Sequence, residues 1–291
     1  MKKILIITTG GTIACEATEN GRTPAHGGEW LTAGITGCEL HICDLFACDS
    51  TDITPSHWRR LYDKVREASD YDGIVILHGT DTLEYTAAML YFTVSDMDIP
   101  VIITGAMIPM SEKNSDGGRN IRDAVAVACC DNLSGVYVVF SGRIISGGNV
   151  IKRHSTKTDA FSAFCGEDNG CVKGDEVVFS YKAEMPETMK PPGDGKKISV
   201  IKLSPFTDNL YVPENYRGAV IESYGAGGIP AHLMTSLKEL CAHMPVVITT
   251  SCSDGANLHE YEVGQRAISV GAVDGGEMST ACAAVKMWLD K

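Results

Sequence analysis

No stretch of this sequence approaches the roughly 20 consecutive apolar residues that a bilayer-spanning helix needs, so no membrane span is expected. An excess of positive charge is also missing. The formal net charge is -12, whereas a nucleic-acid surface needs clustered Lys and Arg. Neither GxxxxGK followed by Ser or Thr nor GxGxxG occurs, which removes the two common phosphate-cradling loops. The 8 histidines are scattered without zinc-ligand spacing, and the 11 cysteines contain no CxxC pair. Neither a metal, a cofactor nor a disulfide framework is therefore expected. Cys129, Cys130, Cys241 and Cys282 fall within apolar runs, where a free thiol acts as a small buried hydrophobe in a reducing compartment. At the start, MKK is followed by ILII and then by TTGG. That run is too short for a signal segment and reads as a first strand, which predicts a cytoplasmic protein.

What is present is an ordinary globular composition. Of the 291 residues, 44% are hydrophobic and 21% charged, enough for a sizeable core and two domains. Apolar runs at 3–9, 38–45, 73–78, 100–104 and 135–140 read as strands. Between them lie helical stretches at 55–70, 82–95 and 115–130, the first opened by Thr54 and Pro55 and the last by the capping residues Ser115 and Asp116. Strands that are continuously apolar and alternate with helices predict an α/β fold, with a mostly parallel sheet flanked by helices and buried on both faces. Residues 184–197, EMPETMKPPGDGKK, read as a linker. They separate a larger N-terminal catalytic domain (1–183) from a smaller C-terminal α/β domain (198–291). In the latter, strands are expected at 198–203, 218–223 and 245–250, and helices at 231–243 and 279–289.

Two threonine-glycine turns carry the chemistry. ITTGGTIA puts Thr12 just past the first strand, and HGTDT puts Thr80 and Asp81 just past GIVIL. The strand ends of an open α/β sheet are where ligands bind, so the two turns offer two candidate nucleophiles to one site. A Gly-Gly-Thr turn alone also serves as a capping turn. His78, Gly79, Thr80 and Asp81 together exceed what a helix cap needs, which is one polar side chain. Lys152 could act as a general base beside a Thr-Asp pair, although spacing alone does not separate it from Arg153 or Lys157. Asp49 and Ser50, in FACDSTDITP, follow a strand and double as turn residues.

TTGGTIA, CDSTDITP, ILHGTDTLEYTAAML, TGAMIP, SDGGRNIRDA and GGNVIK with a later TDAF occur in this order. Together with IESYGAGGIP and GGEMSTACAAVKMWL, they resemble the bacterial L-asparaginase family over nearly the whole chain, most closely its cytoplasmic type I branch. The resemblance implies hydrolysis of L-asparagine to L-aspartate and ammonia through a threonine acyl-enzyme. Thr12 matches the nucleophile. Thr80, Asp81 and Lys152 match a group that assists proton transfer or activates water, which raises Lys152 over its neighbours. Asp49 and Ser50 match positions that hold the substrate's α-ammonium and α-carboxylate, and Gly11, Gly79 and Ala106 match backbone contacts. A small-molecule amino-acid amide substrate and a homodimer or homotetramer follow from the same resemblance. In such an assembly the smaller domain completes a neighbour's site, to which Glu260, Glu262 or Glu277 could contribute, although all three also read as plain surface carboxylates.

Two positions depart from the family pattern. Arg22, in ENGRTP, stands where the family has a lid tyrosine. Arginine is a permanent cation that can hold an anion but cannot act as a base. Gly228, in SYGAGGIP, stands where an asparagine is usual. Two alternatives therefore stay open beside asparagine hydrolysis. One is the same chemistry on another small amide, either glutamine or an acidic amide read by Arg22. The other is a non-catalytic aspartate-binding homologue. The related archaeal tRNA-dependent amidotransferase subunit is disfavoured by the charge of -12.

Overall fold

Three consecutive apolar runs set the architecture. The strands Gly73–Leu77, Pro100–Thr104 and Gly135–Phe140 are buried at every residue, as expected of parallel strands covered on both faces. In the computed structural model all residues are described except 19, 20, 25–27, 194, 196 and 291, and only the backbone of 15–18, 21–24, 28 and 30 is described. The chain forms two compact units. The first is Met1–Ala163 with Asp168–Thr188, and the second is Phe164–Glu167 with Met189–Lys291.

The first unit is built on an eight-stranded sheet. Its spatial order is Glu176–Phe179, Gly170–Lys173, Arg143–Ser146, Gly135–Phe140, Pro100–Thr104, Gly73–Leu77, Lys3–Gly10, Glu39–Cys48. From Gly135–Phe140 to Glu39–Cys48 all neighbours are parallel. Ile121, Ala124, Val125 and Ala128 of the helix Gly117–Ala128 pack on Ile4, Ile6, Val75, Leu77 and Ile102 from the sheet. The helix Leu83–Thr93 is apolar nearly all round and buries eight residues, so it lies inside the fold and not on its surface.

The order of the first strands matters for function. From Lys3–Gly10 the chain crosses to Glu39–Cys48 on one side, whereas from Gly73–Leu77 it proceeds to Pro100–Thr104 on the other. The carboxyl ends of the adjacent strands Lys3–Gly10 and Gly73–Leu77 therefore flank a topological switch point, where the two connections diverge and leave a crevice. Thr12 and Thr80 are the residues that follow these two ends.

The expected strands and helices are present with shifted ends. The first helix ends at Arg66 instead of residue 70, because Ser69 and Asp70 favour a turn. The expected Asp116 cap works differently: it is the N-cap residue, yet its side chain makes no capping bond. Its carboxylate instead accepts from the N–H groups of Met107 and Ile108. Several short strands were not anticipated. After Gly135–Phe140 the chain reverses through Ser141 and Gly142, both at positive φ of 52° and 79°, the two-residue turn that suits a twisted hairpin. Val150–Lys152 then pairs antiparallel with Phe161–Ala163. Three-residue strands are too short to show an alternating pattern.

In the second unit, four parallel strands run in the order Lys197–Lys202, Tyr216–Ser223, Val246–Thr250, Val273–Asp274. Residues 231–233 form a 3-10 turn, and the expected helix proper starts at Met234. Ser279 caps the last helix by accepting from the Cys282 N–H. The helix Glu262–Ser269 was not anticipated. It contains Gly264, where a Cβ would come within 2.4 Å of the Leu258 carbonyl oxygen, so close packing and not helix propensity chose that residue. Among the described residues, no helix is long and apolar enough to cross a membrane. All ten described cysteines are free, and burial pushes the Cys282 thiol up to about 12.

Candidate active site

The two threonine turns meet through their glycines. Gly10 and Gly11 have φ of 92° and 79°, which only glycine adopts cheaply. A Cβ on Gly11 would lie 2.2 Å from the Gly79 Cα, and one on Gly79 would lie 2.6 Å from the Ser50 Oγ. Three turns, those at 10–12, 48–50 and 78–80, are thus in backbone contact, and no side chain fits between them. A fourth joins them. A Cβ on Gly105 would sit 2.3 Å from the His78 carbonyl oxygen, and the Met110 N–H donates to the Ile13 carbonyl at 3.3 Å. Ala106, fully buried, lies in this fourth loop. The Asn120 Nδ2 steadies the loop by donating to the Gly105 carbonyl at 2.9 Å.

The three threonines of the first turn have different tasks. The Thr8 hydroxyl donates to Asp44 at 2.7 Å and the Thr9 hydroxyl to the Leu77 carbonyl at 3.0 Å, so both serve to tie strands. Thr12 opens a 3-10 turn, is half-buried, and makes no side-chain hydrogen bond with a described residue.

The second turn is bound tightly. Lys152 Nζ donates to the Thr80 Oγ1 at 2.8 Å and pairs with the Asp81 carboxylate at 2.6 Å. The lysine side chain is only 16% exposed. Lys152 thereby stands apart from Arg153, which points to Ser162, its Nε donating at 3.1 Å. Ser50 is buried, and its Oγ accepts from the Asp81 N–H at 3.1 Å, while its carbonyl accepts from the Thr82 hydroxyl at 2.7 Å. Asp49 caps its own short turn, accepting from the Thr51 N–H at 2.9 Å and the Thr51 hydroxyl at 2.8 Å. Arg22 falls in the strand Gly21–Pro24, which pairs with Cys15–Thr18 just after the Thr12 turn. Its side chain lies outside the described residues.

Two residues have roles beyond those anticipated. Glu84, in the first turn of the helix after HGTDT, accepts from the Lys152 backbone N–H at 2.8 Å. Lys152 is thus held at its side chain and at its backbone by one helical N-terminus. His78 is 1% exposed, and burial pushes its imidazole down to about 4, so it is neutral near pH 7. Its Nδ1 lies 2.7 Å from the Gly79 carbonyl and its Nε2 lies 3.0 Å from the Thr86 Oγ1. Both residues belong to the motif that stands out in the sequence, but nothing in a linear pattern shows where their side chains turn.

Gly228 belongs to the second unit. It lines a cavity of about 410 Å³ together with Tyr224, Pro230, Asn257 and Tyr261, which contains none of the threonine-site residues. A Cβ there would come within 2.9 Å of Val263 Cγ2, so any side chain would have to displace Val263. Among the described residues, no group of three or more His, Cys, Asp or Glu could hold a metal ion.

Residues 3–185 match the family model described as Asparaginase, N-terminal, and residues 200–289 match that of the Glutaminase/Asparaginase C-terminal domain. The chain is 39% identical to an L-asparaginase of Thermococcus kodakarensis, over 98% of this chain and 92% of the relative. It is 29% identical to a component of the glutamyl-tRNA(Gln) amidotransferase of Methanopyrus kandleri, over 99% of this chain and 70% of the relative. Among solved structures, the thermostable L-asparaginase of Thermococcus kodakarensis superposes with a TM-score of 0.85 at 35% identity, covering 98% of this chain and 92% of that one. A probable cytoplasmic L-asparaginase of Campylobacter jejuni superposes with a TM-score of 0.85 at 25% identity, covering 99% and 94%.

Proposed function

Because the chain belongs to the asparaginase family and is an amidohydrolase of that type, we propose that it hydrolyses L-asparagine to L-aspartate and ammonia through an ester on Thr12. The observation that carries this reading is the contact of the Gly11 and Gly79 turns. It presents the Thr12 hydroxyl, which has no partner among the described residues, next to the Thr80 hydroxyl, which accepts from a lysine that is itself paired with Asp81.

In the first half-reaction the Thr12 Oγ1 attacks the side-chain amide carbon and gives up its proton. The new C–O bond forms, the C–N bond breaks, and the nitrogen leaves as ammonia with that proton. The group of Thr80, Lys152 and Asp81 carries protons between the nucleophile, the leaving nitrogen and the incoming water. Water then attacks the ester, the Thr12 oxygen leaves, and its proton is restored. Backbone N–H groups at the two glycine turns stabilise the oxyanion. The Thr80 N–H suits this task, because it is buried and meets no acceptor among the described residues. Asp49 and Ser50 hold the substrate's α-ammonium and α-carboxylate, Gly11, Gly79 and Ala106 offer backbone contacts, and Arg22 helps to steady the same carboxylate. The protein works as a cytoplasmic homodimer or homotetramer.

The test is ammonia release from L-asparagine by the purified chain. Thr12→Ala and Thr80→Ala are each expected to lower kcat by about 1,000-fold or more. Release only from glutamine or from a longer acidic amide would move the reading to that substrate. Aspartate binding with no turnover of any amide would make the chain a binder.

A further inference from the structure

The mechanism proposed above makes no use of His78, a histidine buried beneath the site. A chain of three hydrogen bonds runs through it. The Trp58 Nε1–H donates to the Thr86 Oγ1 at 3.0 Å, Thr86 meets the His78 Nε2 at 3.0 Å, and the His78 Nδ1 meets the Gly79 carbonyl at 2.7 Å. Chemistry fixes the direction of every link. A carbonyl oxygen only accepts, so the His78 Nδ1 carries the proton. An indole nitrogen only donates, so the Thr86 oxygen accepts from Trp58; the buried imidazole is neutral, so its Nε2 carries no proton and accepts from the Thr86 hydroxyl. A neutral imidazole satisfies both ends at once, one nitrogen donating and the other accepting. A buried imidazolium would instead carry a charge stripped of water.

The chain ends on the peptide between Gly79 and Thr80. Its carbonyl accepts the short bond from His78, and its N–H belongs to Thr80 and finds no acceptor among the described residues. Pulling electron density towards the carbonyl oxygen makes the N–H of the same peptide a stronger donor, and a directed chain of hydrogen bonds strengthens each member. The same bond fixes the tilt of a peptide that follows a glycine and that no helix or strand holds. We propose that His78 is a positioning residue, and that the Trp58–Thr86–His78 chain orients and polarises the Gly79–Thr80 peptide so that its N–H stabilises the oxyanion formed on the substrate. His78 does not touch the substrate and transfers no proton. This role rests on the amidohydrolase reading above, although the state of the imidazole does not depend on it.

Two measurements test the proposal. With 15N-histidine labelling, NMR at neutral pH should show His78 as the neutral tautomer protonated at Nδ1. Protonation at Nε2, or at both nitrogens, would overturn the chain whatever the enzyme's activity. In steady-state kinetics, His78→Leu is expected to lower kcat about 10-fold with KM nearly unchanged. His78→Asn, whose Nδ2 can donate in place of Nδ1, should recover most of that loss. Thr86→Val should lower kcat about 2- to 3-fold, and Thr86→Ser should restore it. If His78→Leu fails to fold, the Thr86 pair and the tautomer decide the matter. An unchanged kcat in Thr86→Val, or a loss in His78→Asn as large as in His78→Leu, rejects the role. If the wild-type chain hydrolyses no amide, the functional reading fails, and the tautomer still decides whether the relay exists.

Discussion

The Thr12 and Thr80 turns are built from the same ingredients, glycine and threonine at the end of a buried parallel strand, yet they are held in opposite ways. The Thr12 turn is held by its backbone: two glycines at positive φ, strand ties through Thr8 and Thr9, and the bond from Gly11 N–H to the Cys48 carbonyl. Its terminal hydroxyl has no partner among the described residues. The Thr80 turn is held by side chains: Lys152 and Asp81 on one side, Ser50 on another, and His78 beneath. On the mechanism we propose, the difference divides one motif chemistry into a nucleophile and a proton-handling partner. A hydroxyl that must form and break a covalent bond is left free on a rigid backbone. One that must pass protons is embedded in a network.

The comparison breaks most completely where the turns touch. Gly11→Ala sets a Cβ 2.2 Å from the Gly79 Cα at a φ of 79°, so neither turn can keep its place. We expect a loss of about 4 kcal/mol in unfolding free energy, measured by urea titration, with both threonines inactivated together. A near-neutral Gly11→Ala would mean that the contact between the turns is dispensable.

The next effect belongs to the second turn alone. The folded-state pKa of His78, about 4, lies below its ordinary value of 6.5. The unfolded chain therefore binds the proton more tightly. The stability that follows is fully present above pH 6.5 and is lost as pH falls from 6.5 to 4, by about 3 kcal/mol in total. Denaturation midpoints of wild type and His78→Asn measured from pH 7 down to pH 4 should converge as the pH falls. Parallel curves would show that this imidazole does not stay neutral in the fold.

A smaller energy, though a large change in rate, separates the turns by chemistry. Lys152→Met keeps the stem of the side chain and removes the ammonium that meets Thr80 and Asp81. It should lower kcat about 100-fold, or about 2.7 kcal/mol, while reaction of Thr12 with an activated ester substrate suffers less. Equal losses on amide and ester would assign Lys152 to both halves of the site.

The parallel strands of the first unit were legible because burial on both faces writes itself as an unbroken apolar run, as in GIVIL and PVIIT. Val150–Lys152 and Phe161–Ala163 were not, since three residues carry no period. The same limit applied at the site. Thr12, Thr80 and Asp81 stood out from their glycines and their place after a strand. Lys152 was distinguished from Arg153 and Lys157 only by resemblance, and the fold separates it from Arg153 physically, because the Lys152 Nζ reaches Thr80 while the Arg153 Nε turns to Ser162. Ser50 read as a turn residue, and only the fold buries it against the Asp81 N–H. The Ser115–Asp116 pair read as a cap, and the fold uses the Asp116 carboxylate for the loop before it.

By itself the sequence determined the α/β class, the positions of the buried strands and the two threonine turns, because periodicity, apolarity and glycine act within a few residues. The tertiary structure alone decided that the two turns share one crevice, which lysine reaches Thr80, and that His78 is buried away from water. Each of those depends on groups far apart in the chain, 72 residues in the case of Lys152 and Thr80, and no local pattern encodes a distance across a fold.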